Sequence, residues 1–184
     1  IPYTTLFAAP GTNTANTLAS FVEQAGRVEA LWYPYTQNPW LKVWSVAPTQ
    51  PLTSRMTSSP YNYVFSDNIP DQLADLARQM VSGNPSVAPQ FGLLAYGITA
   101  AGLVATDSLD LWGAAKNTQL YIRPTTLREM EFGYCVITKR TNLQRVLYEF
   151  TTKFTALLAQ YQAAGKYPVN MPVDLRACAL DHVS

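Results

Sequence analysis

The chain has 184 residues, a formal net charge of +1 and only 14% charged residues. This length fits one domain with one hydrophobic core, and without a run of Lys or Arg the sequence does not favour nucleic acid as a partner. Cys135 and Cys178 stand apart in the sequence, and the chain has a single His. We therefore expect two free, buried thiols and no metal site.

The first predicted element is a helix over residues 16–25. Thr14 is a candidate N-cap, and Gly26 stands where helices commonly end. The apolar residues recur at helical spacing: Leu18, Phe21, Val22 and Ala25. This helix leads directly into the next element.

The segment EALWYPYTQNPWLKVWSV, residues 29–46, predicts two strands joined by a short loop. Apolar and polar positions alternate on either side of Pro34 and the Asn38-Pro39 pair. On the first strand Glu29 shares a face with Leu31 and Tyr33, where an ionised carboxylate needs a partner or a purpose. Glu29 is therefore a candidate acid or base.

The middle of the chain predicts a surface loop over 48–60, a short strand over 61–65 and a helix opening at Ile69-Pro70 and ending at Gly83. The predicted apolar side of this helix holds Leu73, Leu76, Ala77, Met80 and Val81. Residues 84–106 are uncharged and long enough to span a bilayer, but they contain Pro and Gly. We expect a buried helical hairpin or cavity wall there and no transmembrane segment.

Two further strands, 118–123 and 133–138, precede the longest predicted helix, which begins near Thr141 or Asn142 and ends at Gly165. Its apolar stripe comprises Leu143, Val146, Leu147, Phe150, Phe154, Leu157, Leu158 and Tyr161. Strands and helices follow no regular β-α-β order. We therefore expect an α+β fold with a mixed, largely antiparallel β-sheet covered by helices.

The last predicted strand, 172–179, places Asp174, Arg176 and Cys178 on one face. The acid and the guanidinium can brace one another, and Arg176 can offer several donors to an oxygen that becomes negative. The alternative interpretation is a surface ion pair. Because the opposite face is wholly apolar, we expect a buried or cleft position.

Three motifs resemble the substrate-binding cap domain of the bacterial cholesterol oxidases in the vanillyl-alcohol-oxidase flavoprotein family. They are VEALWYPYTQNPWLKVW, PYNYVFSDN and PVDLRACALD, and the resemblance covers nearly the whole chain. It implies a cap that roofs FAD and encloses a sterol, with FAD bound covalently through a His of a separate domain. It also implies a secreted bacterial enzyme that uses molecular oxygen and forms hydrogen peroxide.

We accordingly expect residues 1–184 to be a cap domain from a longer FAD-dependent oxidase, inactive in isolation because no Gly-rich FAD-binding motif is present. The implied reaction oxidises the C3 alcohol of a 3β-hydroxysterol and moves the double bond to give the 4-en-3-one.

The resemblance also implies roles for individual residues. Glu29 matches the family's active-site acid, which moves protons, and Arg176 matches an arginine near the flavin that stabilises charge on the substrate oxygen. Asp174 stands where the family has Glu, so its side chain is shorter by one methylene. Glu131 matches a family acid that lines an access route to the flavin.

Aromatic residues beside loops or in the uncharged stretch are candidates for sterol contact: Trp40, Tyr61, Tyr63, Phe65, Phe91 and Tyr96. We assign Trp32 and Trp44 to the core and His182 to the surface. Two alternatives stay open: a standalone sterol- or lipid-binding module, and the cap of a flavin oxidase that acts on a polar polyol or sugar.

Overall fold

A computed structural model describes residues 1–12, 15–60, 69–119 and 131–178. The helices are α1 (Tyr3–Leu6), α2 (Leu18–Ala25), α3 (Asp71–Val81), α4 (Ala88–Ala105), α5 (Ala115–Thr118) and α6 (Leu143–Ala163), with single 3-10 turns at Pro85–Val87 and Arg140–Asn142. The strands are β1 (Arg27–Trp32), β2 (Trp40–Trp44), β3 (Arg55–Met56), β4 (Leu111–Trp112) and β5 (Val173–Ala177).

Within these described ranges the larger sheet has three strands in the order β2-β1-β5, and both pairings are antiparallel. Glu29 on the central strand lies opposite Lys42 on one side and Arg176 on the other. The short strands β3 and β4 form a separate parallel pair. The strand pair predicted over residues 29–46 is confirmed. The predicted α+β class with a mixed, largely antiparallel sheet is confirmed as well.

One face of the sheet packs against α1, α2 and α6. Trp32 is only 1% exposed, and its ring stacks on Tyr3 with the ring centroids 4.6 Å apart. Its indole nitrogen donates to the Thr36 carbonyl oxygen at 3.0 Å, so the polar part of this buried ring is satisfied. The buried cluster around it comprises Leu6, Phe7, Leu18, Val28, Ala30, Leu147 and Ala177.

A second core lies between α3 and α4, where Leu73 and Leu76 pack with Phe91 and Ala95. At Gly92 an added Cβ would lie 3.1 Å from the carbonyl oxygen of Pro34. This glycine therefore lets α4 lie close to the loop that joins β1 and β2. Of the two alternatives predicted for 84–106, the helical hairpin is wrong, because most of this stretch forms one continuous helix.

The helix predictions hold with local differences. The N-cap of α2 is Thr17, whose hydroxyl oxygen accepts from the Ser20 amide at 3.2 Å, and Gly26 follows the helix with φ of 89°. The predicted cap, Thr14, lies outside the described residues. Helix α3 is confirmed, but Val81 is 90% exposed because it lies on the solvent side of the last turn.

Two predictions in the C-terminal half are wrong. Residues 133–138 form no strand with any part of the chain that the structure describes, since extended backbone becomes a strand only when a neighbour pairs with it. Both cysteines are free but exposed rather than buried, because Cys135 lies in this unpaired segment and Cys178 follows the end of β5. The predicted strand over 61–65, most of the one over 118–123, and His182 fall outside the described residues.

One described segment, Pro85–Ala105, is long and apolar enough to cross a membrane, and 33% of its apolar window is buried. Core helices of soluble proteins have the same length and composition, so this feature alone does not define a membrane span. The expectation of no transmembrane segment stays a prediction.

Candidate functional site

Four charged side chains lie together on the face of the larger sheet opposite the core. They are Glu29 on β1, Lys42 on β2, and Asp174 and Arg176 on β5. We call this group the charged cluster. The strand alternation produces it, because residues at spacing two point to the same face and the register sets Glu29 between the two cations.

Within the charged cluster each carboxylate has a cation as partner. The ammonium of Lys42 donates to Oε1 of Glu29, and Nη2 of Arg176 donates to Oδ2 of Asp174. Nε of Arg176 lies 3.7 Å from Oε2 of Glu29. Arg176 therefore lies beside both acids, and the two oxygens of Glu29 have different neighbours.

Burial divides the charged cluster into a shielded part and an accessible part. The side chains of Glu29 and Lys42 are only 11% and 10% exposed, and that of Asp174 is 18% exposed. The Arg176 side chain is 62% exposed. An incoming ligand would therefore meet the guanidinium first and the carboxylate of Glu29 behind it.

The buried environment shifts the pKa of two members of the charged cluster. Burial lowers the pKa of the Lys42 ammonium, and the hydrogen bond and charge of Glu29 oppose this effect. Burial, and then the negative charge of Glu29, raise the pKa of Asp174 against the opposing effects of Arg176 and Lys42. Oδ1 of Asp174 is buried and accepts no hydrogen bond from the described residues.

Aromatic rings flank the cations on this face. The Lys42 ammonium lies 4.8 Å from the centre of the Trp40 ring, and the Arg27 guanidinium carbon lies 5.1 Å from that of Trp44. Both are cation–π distances. Trp44 is thus half-buried on the charged face rather than in the core, which corrects the expectation for this residue.

The structure brings together the three predicted catalytic residues, Glu29, Asp174 and Arg176, and Trp40, a predicted sterol contact, lies on the same face. Glu131 is exposed, Tyr96 is half-buried on α4, and Phe91 is 4% exposed in the core between α3 and α4. The burial of Phe91 is explained by packing, so its contact with a sterol stays a prediction. Tyr61, Tyr63 and Phe65 lie outside the described residues.

Lys42 is the member of the charged cluster that sequence analysis missed. The sequence did contain a signal for this residue. In the predicted pair of strands some residue of β2 must lie opposite Glu29, and Lys42 is the single charged residue of β2. The alternation alone did not set the register that makes the two residues face each other.

A groove of about 580 Å³ lies elsewhere, between α3 and α4, and shares no lining residue with the charged cluster. Its one acidic lining residue, Asp75, is exposed and paired with Arg78 at 2.6 Å. Volume alone does not make this groove a reaction site, since none of its described lining residues is a buried ionisable group.

Comparisons with known proteins identify the family. The sequence model of the family described as cholesterol oxidase, substrate-binding, matches residues 1–184. The chain belongs to this family of substrate-binding domains. Among curated protein sequences none matches the chain.

Solved structures agree with the family match. A structure described as a solvent-stable cholesterol oxidase is 52% identical with a TM-score of 0.90, and the match covers 95% of this chain. The cholesterol oxidase from Brevibacterium sterolicum and a variant of it are each 44% identical with a TM-score of 0.89 and the same coverage. The chain spans 32% of the length of each of these structures.

Proposed function

We propose that this chain is the substrate-binding cap of a longer FAD-dependent cholesterol oxidase, which oxidises the C3 alcohol of a 3β-hydroxysterol and isomerises the product to the 4-en-3-one. The observation that carries the proposal is a carboxylate, Glu29, buried beside an accessible guanidinium, Arg176, on one sheet face. The family match and the similarity to cholesterol oxidases support the substrate class.

Glu29 is the proposed catalytic base of isomerisation. Moving the double bond requires removal of a proton from C4 of the β,γ-unsaturated ketone and its delivery to C6. A carboxylate that is 11% exposed can carry this proton with little exchange to water. Positioned acid–base groups of this kind contribute about 10² to 10⁴-fold in rate.

Arg176 is the proposed stabiliser of negative charge on the substrate oxygen. A guanidinium has five N–H donors and stays charged at any working pH, and the contacts with Glu29 and Asp174 engage Nε and Nη2. Asp174 fixes the orientation of the guanidinium. A donor aimed at the C3 oxygen would stabilise the enolate that forms when Glu29 takes the C4 proton.

FAD, held by a separate domain, would supply the electron chemistry of alcohol oxidation and pass the electrons to molecular oxygen to give hydrogen peroxide. The 62% exposure of Arg176 fits a residue that faces a group bound outside this chain. The isolated chain would then be inactive. The family match also supports the proposal that the whole protein is a secreted bacterial enzyme.

The two alternatives gain no specific support. A standalone lipid-binding module has no need for a buried acid beside an arginine, and the similar structures are cholesterol oxidases rather than carriers. A polar sugar or polyol substrate has no similar structure in its favour, because the similar solved structures are cholesterol oxidases.

The proposal is tested by Glu29→Gln in the full-length enzyme that contains this chain. We expect formation of the conjugated ketone to fall by about 10² to 10⁴-fold, because the amide cannot accept the proton. Hydrogen peroxide release and ultraviolet absorbance of the enone report oxidation and isomerisation separately. The matched control is Glu149→Gln on α6, where the carboxylate is 55% exposed and only faces Arg145 at 3.9 Å. Conjugated ketone formed at the parental rate by Glu29→Gln would contradict the proposal.

A further inference from the structure

The strongest unassigned feature is a buried lysine within the charged cluster. Lys42 is 10% exposed, although a lysine on a strand of this kind can usually extend into water. Its ammonium instead donates to Glu29 and lies 4.8 Å from the Trp40 ring centre. Burial of an ammonium has a free-energy cost, so this position calls for a role.

The two oxygens of the Glu29 carboxylate are distinguished by their partners. Oε1 accepts from Lys42 on β2, whereas Oε2 lies 3.7 Å from Nε of Arg176 on β5. The oxygen toward β5 is therefore the one beside the accessible guanidinium. Restraint of Oε1 fixes the torsion of the carboxylate and so fixes where Oε2 lies.

The charges on this face compensate one another. Besides Lys42, the charged groups are Glu29 and Arg27 on β1 and Asp174 and Arg176 on β5. Arg176 already binds Asp174, so Lys42 is the cation in hydrogen-bonding contact with Glu29. Removal of Lys42 would leave Glu29, among the residues that the structure describes, with one neighbouring cation, which lies 3.7 Å away and is shared with a second acid.

We propose that Lys42 is a positioning residue for isomerisation: it holds the Glu29 carboxylate through Oε1 and thereby directs Oε2 to the substrate carbons beside Arg176. This inference rests on the proposed function and adds a residue and an oxygen assignment to it. Trp40 supports the ammonium from the side and limits its rotation. Lys42 does not itself contact the reacting carbons.

The test uses the full-length enzyme and supplies the β,γ-unsaturated 3-ketosteroid directly, so that no oxidation step is required. We expect Lys42→Met to lower kcat and to leave KM for the ketone within about twofold of the parental value, because Lys42 positions the carboxylate and does not bind the substrate. Misplacement of the carboxylate should lower the rate at neutral pH by between about 10-fold and about 100-fold. Lys42→Arg should restore kcat, and the control Lys153→Met, an exposed α6 position, should match the wild type.

Two further measurements separate a positioning role from a structural one. Lys42→Gln keeps a donor without the charge and carries the same test if the Met variant fails to fold. The thermal unfolding midpoint of Lys42→Met should lie below that of the wild type at neutral pH, because Glu29 keeps only the longer contact with Arg176, at 3.7 Å.

The outcomes distinguish this inference from the proposed function. A wild-type enzyme that does not isomerise the ketone, or Glu29→Gln with the parental rate, overturns the proposed function and the role of Lys42 with it. A working wild type and an impaired Glu29→Gln, with the parental kcat in Lys42→Met and Lys42→Gln, overturn the role of Lys42 alone.

Discussion

The two faces of the three-stranded sheet differ although the same strands build both. On the core face β1 contributes Val28, Ala30 and Trp32, all at most 1% exposed. On the charged face the same strand contributes Glu29, which pairs with Lys42 and lies near Arg176. Alternation along one strand thus places a close-packed core and an ionisable cluster one residue apart.

The core face supplies most of the stability of the sheet, whereas the charged face holds the ionisable groups. A fully buried apolar side chain on the core face contributes about 1.5–3 kcal/mol to folding. On the charged face, the desolvation cost of a buried ion pair can exceed its Coulombic gain. The core face therefore fixes the sheet, and the rigid sheet holds the charged cluster at little further conformational cost.

The difference between the two faces is tested most strongly by replacing one tryptophan on each face with alanine. Trp32→Ala should lower the free energy of unfolding by about 3–5 kcal/mol, because it removes a buried ring together with its stacking on Tyr3. Trp44→Ala, on the charged face, should cost only about 1 kcal/mol. Denaturant unfolding of the full-length protein measures both values, and equal losses would show that the two faces contribute alike to stability.

A second prediction concerns the accessible cation. Arg176→Lys should lower kcat by about 100-fold, because a point charge cannot bind Asp174 and also direct a donor to the substrate oxygen. Steady-state kinetics with a soluble sterol measures the effect. Arg145→Lys, an exposed α6 position, provides the control. A kcat within twofold of the parental value in Arg176→Lys would remove the guanidinium from the mechanism.

The smallest predicted effect is a pH-dependent one at Asp174. Because burial raises its folded-state pKa, the folded protein binds the Asp174 proton more tightly than the unfolded chain, and this contribution to stability is lost as pH rises through the folded pKa. Asp174→Asn should therefore be stabilising by about 1 kcal/mol or less at neutral pH, and the gain should fade in acid. Unfolding midpoints across pH check the sign, and a gain that grows toward acid pH would contradict it.

Much of the fold follows from local patterns. The hairpin of β1 and β2 was predictable because apolar alternation and Pro34 mark two strands and a break, and α2, α3 and α6 were predictable from helical spacing and glycines after their ends. Residues 133–138 were not, because a strand depends on a distant partner that no local pattern specifies. The hairpin predicted in residues 84–106 failed because Pro89, in the first turn of α4, is compatible with one long helix.

The site was predictable in part for a related reason. Glu29, Asp174 and Arg176 were identified by their faces and by the family resemblance. Their juxtaposition depends on β5 joining β1 across more than half the chain, in the register that sets Arg176 opposite Glu29. Lys42 was missed because its importance arises from the cross-strand register that sets it opposite Glu29, and the local sequence of β2 does not specify that register.

The central claim is that Glu29, shielded from water, carries the proton from C4 to C6. The most direct test supplies the β,γ-unsaturated ketone deuterated at C4 and locates the label in the conjugated product by NMR. The account predicts label at C6 with the wild-type enzyme and a severe loss of this transfer with Glu29→Gln. The same labelled product formed at the same rate by both enzymes would contradict it.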